Sequence, residues 1–102
     1  MQMALTGERI DAQAALRIGL VSDVSEGASL RGRAFAIAQR IARNAPLAVQ
    51  AIKKLSRQTS HLSEADAQQL TELYWGVLRD TQDRIEGRAA FAQKRAPHYS
   101  GR

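Results

Sequence analysis

The residues best suited to chemistry lie near the end of the chain, in "DRIEGRAAFAQKRAPHYSGR". If Asp83 to Arg95 is helical, about 100° of rotation per residue places Ile85, Ala89 and Ala92 on one apolar stripe, the natural core face. Phe91 falls on the opposite stripe, with Arg84, Arg88 and Arg95, and is flanked there by Gly87 and Lys94. An aromatic ring stacks on a nucleobase, and neighbouring guanidinium and ammonium groups neutralise phosphates through charge-assisted hydrogen bonds. Gly87, one turn before Phe91, leaves room beside the ring. This face therefore reads as either an adenine-plus-phosphate site or a solvated charged surface carrying one stray aromatic.

Other chemistries find less support. The chain has no cysteine, so it has neither a thiolate nucleophile nor a disulfide framework. His61 sits in the polar stretch "QTSHLSE" and His98 in the terminal tail, too far apart in sequence for the short local spacing of a metal site. The pairs Glu64 with Asp66 and Asp83 with Glu86 both open helices, where the positive end of the helix dipole accounts for them without acid–base work. No glycine-rich phosphate loop of the Walker or dinucleotide type is present. No catalytic residue and no metal ligand is assigned.

The elements that must position this face follow from punctuation and periodicity. Asp11 caps a short helix over Ala12 to Ile18, Gly19 ends it in the left-handed conformation, and "GLVSDV" reads as a short extended piece. Ser25 to Ser29 reads as a loop. Leu30, Ala34, Ile37 and Ile41 recur at helical spacing, so an amphipathic helix runs from Leu30 to Arg43. Pro46 suits the first turn of the next helix, whose face is Leu47, Ala48, Ala51, Ile52 and Leu55 and which fades at "RQTSH". Ser63 with Asp66 resembles a capping box for a helix reaching Arg79, with Leu70, Leu73, Tyr74, Val77 and Leu78 inside. Thr81 caps the last helix, and "APHYSGR" reads as extended or loose. The fold class is thus mainly α: a short βα-like entry followed by about four helices. Phe35 and Trp75 lie off their helices' main stripes, which fits either a wide buried face or a second surface covered by another subunit.

The 102 residues allow one small domain or a piece of a larger one. Apolar residues make up 44% and charged residues 25%, as in a folded soluble chain rather than a disordered one. A net charge of +5 favours an anionic partner: nucleic acid, an acidic membrane surface or a phosphorylated small molecule. No apolar run approaches the roughly 20 residues of a membrane span, and "MQMALTGERI" lacks the layout of a signal peptide. A cytoplasmic location without membrane association is the expectation. Lys53, Lys54 and Arg57 motivate an alternative, a small basic helical module that binds nucleic acid, although no helix-turn-helix spacing is evident. Phe35 and Trp75 motivate a third class, an oligomerisation module.

"LTGERIDAQAALRIGLVSDV", "RIARNAPLAVQAIKK" and "TQDRIEGRAAFAQKRAPHYSG", in that order, resemble the C-terminal part of the enoyl-CoA hydratase/isomerase (crotonase) family. The resemblance covers nearly the whole chain. It implies that residues 1–29 end the crotonase-like core and that residues 30–102 form a helical region for coenzyme A contact and oligomerisation. It implies an acyl-CoA thioester as substrate, with no tightly bound cofactor, and a homo-oligomer of the trimeric or hexameric kind, with nucleic acid not the partner. Carried over from the family's "AFxxKR" motif, Phe91 and Lys94 bind coenzyme A, commonly a ligand lying mainly in a neighbouring subunit, and Arg95 belongs to the same cationic surface. Gln93 stands where an acidic residue is often found. The family's oxyanion-hole amides and catalytic carboxylates lie upstream of the "LTG" turn, so the resemblance implies that this chain alone is inactive.

Overall fold

The structure, a computed structural model, describes residues 1 and 3–102 in full and Gln2 by its backbone alone. Among the described residues six helices follow one another: α1 (Gln2–Thr6), α2 (Ala12–Arg17), α3 (Gly27–Ala42), α4 (Pro46–Gln58), α5 (Glu64–Arg79) and α6 (Gln82–Ala92). A single 3₁₀ turn, Thr59–His61, extends α4 where its periodicity fades. The chain divides into two compact units, Met1–Ala36 and Ile37–Arg102.

In the first unit the caps behave as the residue types dictate. Gly7 adopts φ 69° at the end of α1, and Gly19 adopts φ 74° just beyond α2, both in the left-handed region where a side chain is costly. Asp11 caps α2 by accepting a hydrogen bond from the Ala14 amide at 2.6 Å. The extended piece expected over "GLVSDV" is not a strand, and no strand occurs among the described residues, so the βα-like entry is corrected to a helical one. A strand needs a neighbour to accept its amides. Here the Leu20 and Val21 amides instead donate to the Ala15 carbonyl and close the end of α2. The loop expected over Ser25 to Ser29 is corrected as well: α3 begins at Gly27, because the Glu26 carbonyl accepts from both the Ser29 and Leu30 amides and so nucleates the turn early. Arg33 pairs with Asp23 at 2.7 Å.

In the second unit three helix starts fall where the residue types place them. Pro46 opens α4, where its missing N–H leaves no bond unmade. Ser63 opens α5, its hydroxyl accepting from the Asp66 amide at 3.2 Å and bonding the Asp66 carboxylate at 2.6 Å. Thr81 opens α6: its hydroxyl accepts from the Arg84 amide and donates to the Leu78 carbonyl, fastening the start of α6 to the end of α5. Helix α4 packs on α5 and on the 3₁₀ turn, and the Tyr74 hydroxyl reaches Gln58 at 3.1 Å.

The inner faces differ from those the periodicity implied. In α5, Ala67, Leu70, Tyr74 and Leu78 are half-buried, while Leu73 and Val77, expected inside, are exposed. In α6 the stripe Ile85, Ala89 and Ala92 is not the core face. Ile85 and Ala92 are exposed, and the buried residues are Asp83 and Ala90. The reason is the tail. Residues 96–102 fold back onto the side of α6 that carries Asp83 and Gly87, so that side is covered and the Ile85 side is not. Only Ala15, Ala51 and Ala90 form a buried apolar set among the described residues, and no large side chain is fully buried. No helix among the described residues is long and apolar enough to cross a membrane.

Candidate functional site

Helix α6 and the tail form the candidate site. Asp83, only 2% exposed, accepts hydrogen bonds from the Ser100 amide at 2.6 Å and the Gly101 amide at 2.9 Å, and its own amide donates to the Arg102 carbonyl at 3.0 Å. Glu86, one turn on, holds the Arg95 guanidinium through both carboxylate oxygens at 2.5 and 2.8 Å and accepts from the His98 amide at 2.8 Å. The tail expected to be loose is thereby fixed by two carboxylates. Their place at the head of a helix was expected to be explained by the helix dipole. The structure gives each a second task, satisfying backbone amides that the tail would otherwise leave open.

Arg95 and the His98 amide stabilise the charged form of Glu86, so its pKa falls from 4.5 to about 2, the Arg95 hydrogen bond being the larger cause. The same bond raises the pKa of Arg95.

Helix α6 stops at Ala92 rather than running to Arg95. The Lys94 amide donates to the Phe91 carbonyl at 3.2 Å and the Arg95 amide to the Ala90 carbonyl at 3.0 Å, the paired bonds of a Schellman closure. The position that glycine usually fills in this motif holds Lys94, with φ 54°, the single non-glycine residue of positive φ among the described residues. That turn sends Arg95 back along α6 to Glu86. The continuous stripe of Arg84, Arg88, Phe91 and Arg95 is therefore corrected: Arg95 leaves the helix and is bound to Glu86 and Gln93, while Arg84 donates to the Arg79 carbonyl at 2.9 Å. Arg88 and Lys94 are exposed.

Phe91 is 87% exposed. It borders an open groove of about 550 Å³, lined chiefly by apolar groups, with Trp75, Arg84, Gly87, Arg88 and Tyr99 among its walls. The space beside Gly87, expected to be open for a ligand, is occupied. A Cβ built there would lie 3.1 Å from the Tyr99 hydroxyl oxygen. Trp75, off the stripe of α5, lines the same groove, a juxtaposition its spacing did not reveal. Tyr99 was missed because it lies in a segment without periodicity. Its one sequence signal is the glycine at position 87 on a helix that otherwise favours alanine. No group of three or more histidine or carboxylate side chains suited to a metal occurs among the described residues.

An exposed ring with a groove at its side and cations at its edge suits a ligand that carries both a base and phosphates. The family model described as enoyl-CoA hydratase/isomerase matches residues 1–102, and the chain belongs to that family. It is 48% identical over 101 residues to the (E)-benzylidenesuccinyl-CoA hydratase of Thauera aromatica, covering 99% of this chain and 40% of that protein. It is 42% identical to the 2,3-dehydroadipyl-CoA hydratase of Escherichia coli, again over 99% of this chain and 40% of the relative. Among solved structures, an enoyl-CoA hydratase from Bacillus anthracis superposes with a TM-score of 0.95 at 35% identity, over 99% of this chain and 39% of that one. The chain spans about 40% of the length of these relatives.

Two outcomes follow from the site's geometry. Glu86 has a depressed folded pKa, so its contribution to stability is present above pH 4.5 and is lost as pH falls towards about 2. In urea titrations the wild type is more stable than Glu86→Gln at neutral pH, and the difference disappears across that interval. Lys94→Gly removes the left-handed strain and stabilises the chain by about 1 kcal/mol, partly offset by the freer unfolded chain, readable as a higher urea midpoint.

Proposed function

We propose that this chain is the carboxy-terminal portion of an enoyl-CoA hydratase/isomerase protein, in which it contributes coenzyme A contacts and subunit assembly. On this reading residues 1–29 complete the core of the fold and residues 30–102 form the helical region that touches the cofactor end of the substrate. The whole protein acts on an acyl-CoA thioester. The oxyanion-hole amides and catalytic carboxylates come from the rest of the fold. The relatives support the substrate class, since several bear names of enzymes that act on acyl-CoA compounds.

The observation that carries the reading is Phe91. A phenylalanine 87% exposed, beside a groove and next to two exposed cations, is not accounted for by packing within this chain. The adenine of coenzyme A accounts for it, with the ring stacking on Phe91 and the phosphates meeting Lys94 and Arg88. Arg95 enters this site as the group that fixes the turn carrying Lys94, since its guanidinium is held by Glu86. Lys94 keeps a strained conformation that glycine would relieve, which fits a side chain retained for its charge.

Homo-oligomer formation, trimeric or hexameric, belongs to the same reading. It is supported by the exposed apolar side chains of every helix from α3 to α6, Phe35 and Trp75 included. The coding sequence on either side of this chain tests its place in the fold. A reading frame before Met1 that supplies the remaining fold supports the proposal; one continuing past Arg102 that supplies it places the chain at the other end and overturns it.

Coenzyme A titrated into the chain should bind with a salt-sensitive affinity. Phe91→Ala should weaken it by roughly 5- to 150-fold, the range for losing one base–aromatic stack. Lys94→Gly should weaken it too while raising the urea midpoint, separating binding from stability. Crotonyl-CoA hydration by the chain alone should be undetectable in an absorbance assay. Turnover abolished by Phe91→Ala would overturn the division of labour, and unchanged affinity in that variant would overturn the site.

A further inference from the structure

The groove beside Phe91 has one wall that does not come from a helix. That wall is Tyr99, from a terminal segment held in place by the buried carboxylate of Asp83. Three features of the sequence converge on this arrangement. Gly101 adopts φ 77°, which glycine takes freely, and packs beside the Pro46 ring at the head of α4. Asp83 is buried with the Ser100 and Gly101 amides as partners, a pairing that holds the segment at two consecutive peptide groups. Gly87 lies against Tyr99 so closely that an added Cβ would meet the hydroxyl oxygen at 3.1 Å, whereas the nearest ring carbons would be at 3.6 and 3.8 Å, ordinary contact distances.

We propose that Asp83 and Gly87 are positioning residues for the ligand groove: together they clasp the terminal segment against α6 so that Tyr99 forms a fixed wall beside Phe91. This inference rests on the reading that the groove receives the nucleotide end of coenzyme A, and it adds that affinity depends on a preorganised tail. A wall already in place loses no conformational freedom when the ligand arrives, so the ordering cost falls on folding and not on binding. The clasp also accounts for a glycine at position 87 within a helix, where alanine would favour the helical state.

Trp75 is the single tryptophan of the chain and lines the same groove, so its emission reports occupancy without a label. Coenzyme A is titrated into the full 102-residue chain and followed at Trp75. Gly87→Ala should lower affinity roughly tenfold while helicity by circular dichroism is undiminished, because the added methyl displaces Tyr99 without weakening α6. Adding Tyr99→Phe to Gly87→Ala removes the one tight contact and should restore affinity to within about twofold of Tyr99→Phe alone. Asp83→Asn should accelerate amide exchange at Ser100 and Gly101 and weaken binding. If that variant loses its helical signal, the Gly87 and Tyr99 pair decides. Should Gly87→Ala bind as tightly as wild type while Phe91→Ala does not, the clasp is overturned and the coenzyme A reading survives. Equal affinity in Phe91→Ala as well overturns both.

Discussion

A buried aspartate without a cation beside it must find hydrogen-bond donors, and Asp83 finds them in the backbone of the chain's own end. Its oxygens accept from Ser100 and Gly101, and its amide gives a bond to the Arg102 carbonyl. Leaving such a carboxylate unsatisfied costs more than the net worth of any one bond it makes, so the tail and α6 stand or fall together. The rest of the second unit's upper surface follows from this bond set. With the tail in place, Tyr99 lies on Gly87, Gly101 lies on Pro46, and the groove beside Phe91 acquires a third side.

Glu86 repeats the principle at a more exposed position. It draws back Arg95, which the Schellman closure at Lys94 has turned towards it, and it takes the His98 amide. Charges that look like one continuous cationic stripe are thereby sorted into two kinds. Arg84 and Arg95 hold the architecture together, through the Arg79 carbonyl and Glu86 respectively, while Arg88 and Lys94 stay exposed beside Phe91. The cations of this helix are thus divided between internal bonds and exposed surface, and the division is set by which carboxylates and carbonyls lie within reach.

The scarcity of buried side chains has a physical meaning in a member of this family. Helices whose leucines, isoleucines and valines stand exposed gain little from hydrophobic burial within the chain, since that gain scales with apolar area removed from water. What the chain does hold together, it holds through caps, short polar bonds and the tail clasp. The match to relatives of which it spans about 40% gives those apolar faces a context, because a family fold of greater length has more surface to bring against them.

Much of the local structure was legible in the residues themselves. Asp11, Ser63 and Thr81 mark helix starts, Gly19 marks an end, and Pro46 opens α4, because each of these acts through its own backbone or the next turn, whereas α1, which closes at Gly7, was not read from the sequence. The exposed Phe91 was legible too, as was the family, through three motifs in order. The buried faces were not. Periodicity finds an apolar stripe but is silent on which stripe a neighbour covers, so Ile85, expected inside, is exposed, and Asp83, read only as a helix-opening carboxylate, is buried. The sorting of Arg95 away from Phe91 and the wall made by Tyr99 depend on partners beyond the next turn, Glu86 for Arg95 and Gly87 for Tyr99. Sequence alone marked the starts of α2, α4, α5 and α6 and the exposed ring, since these are short-range properties. Tertiary structure decided which carboxylate holds the tail and which cations stay exposed, since those choices are made by distance in space.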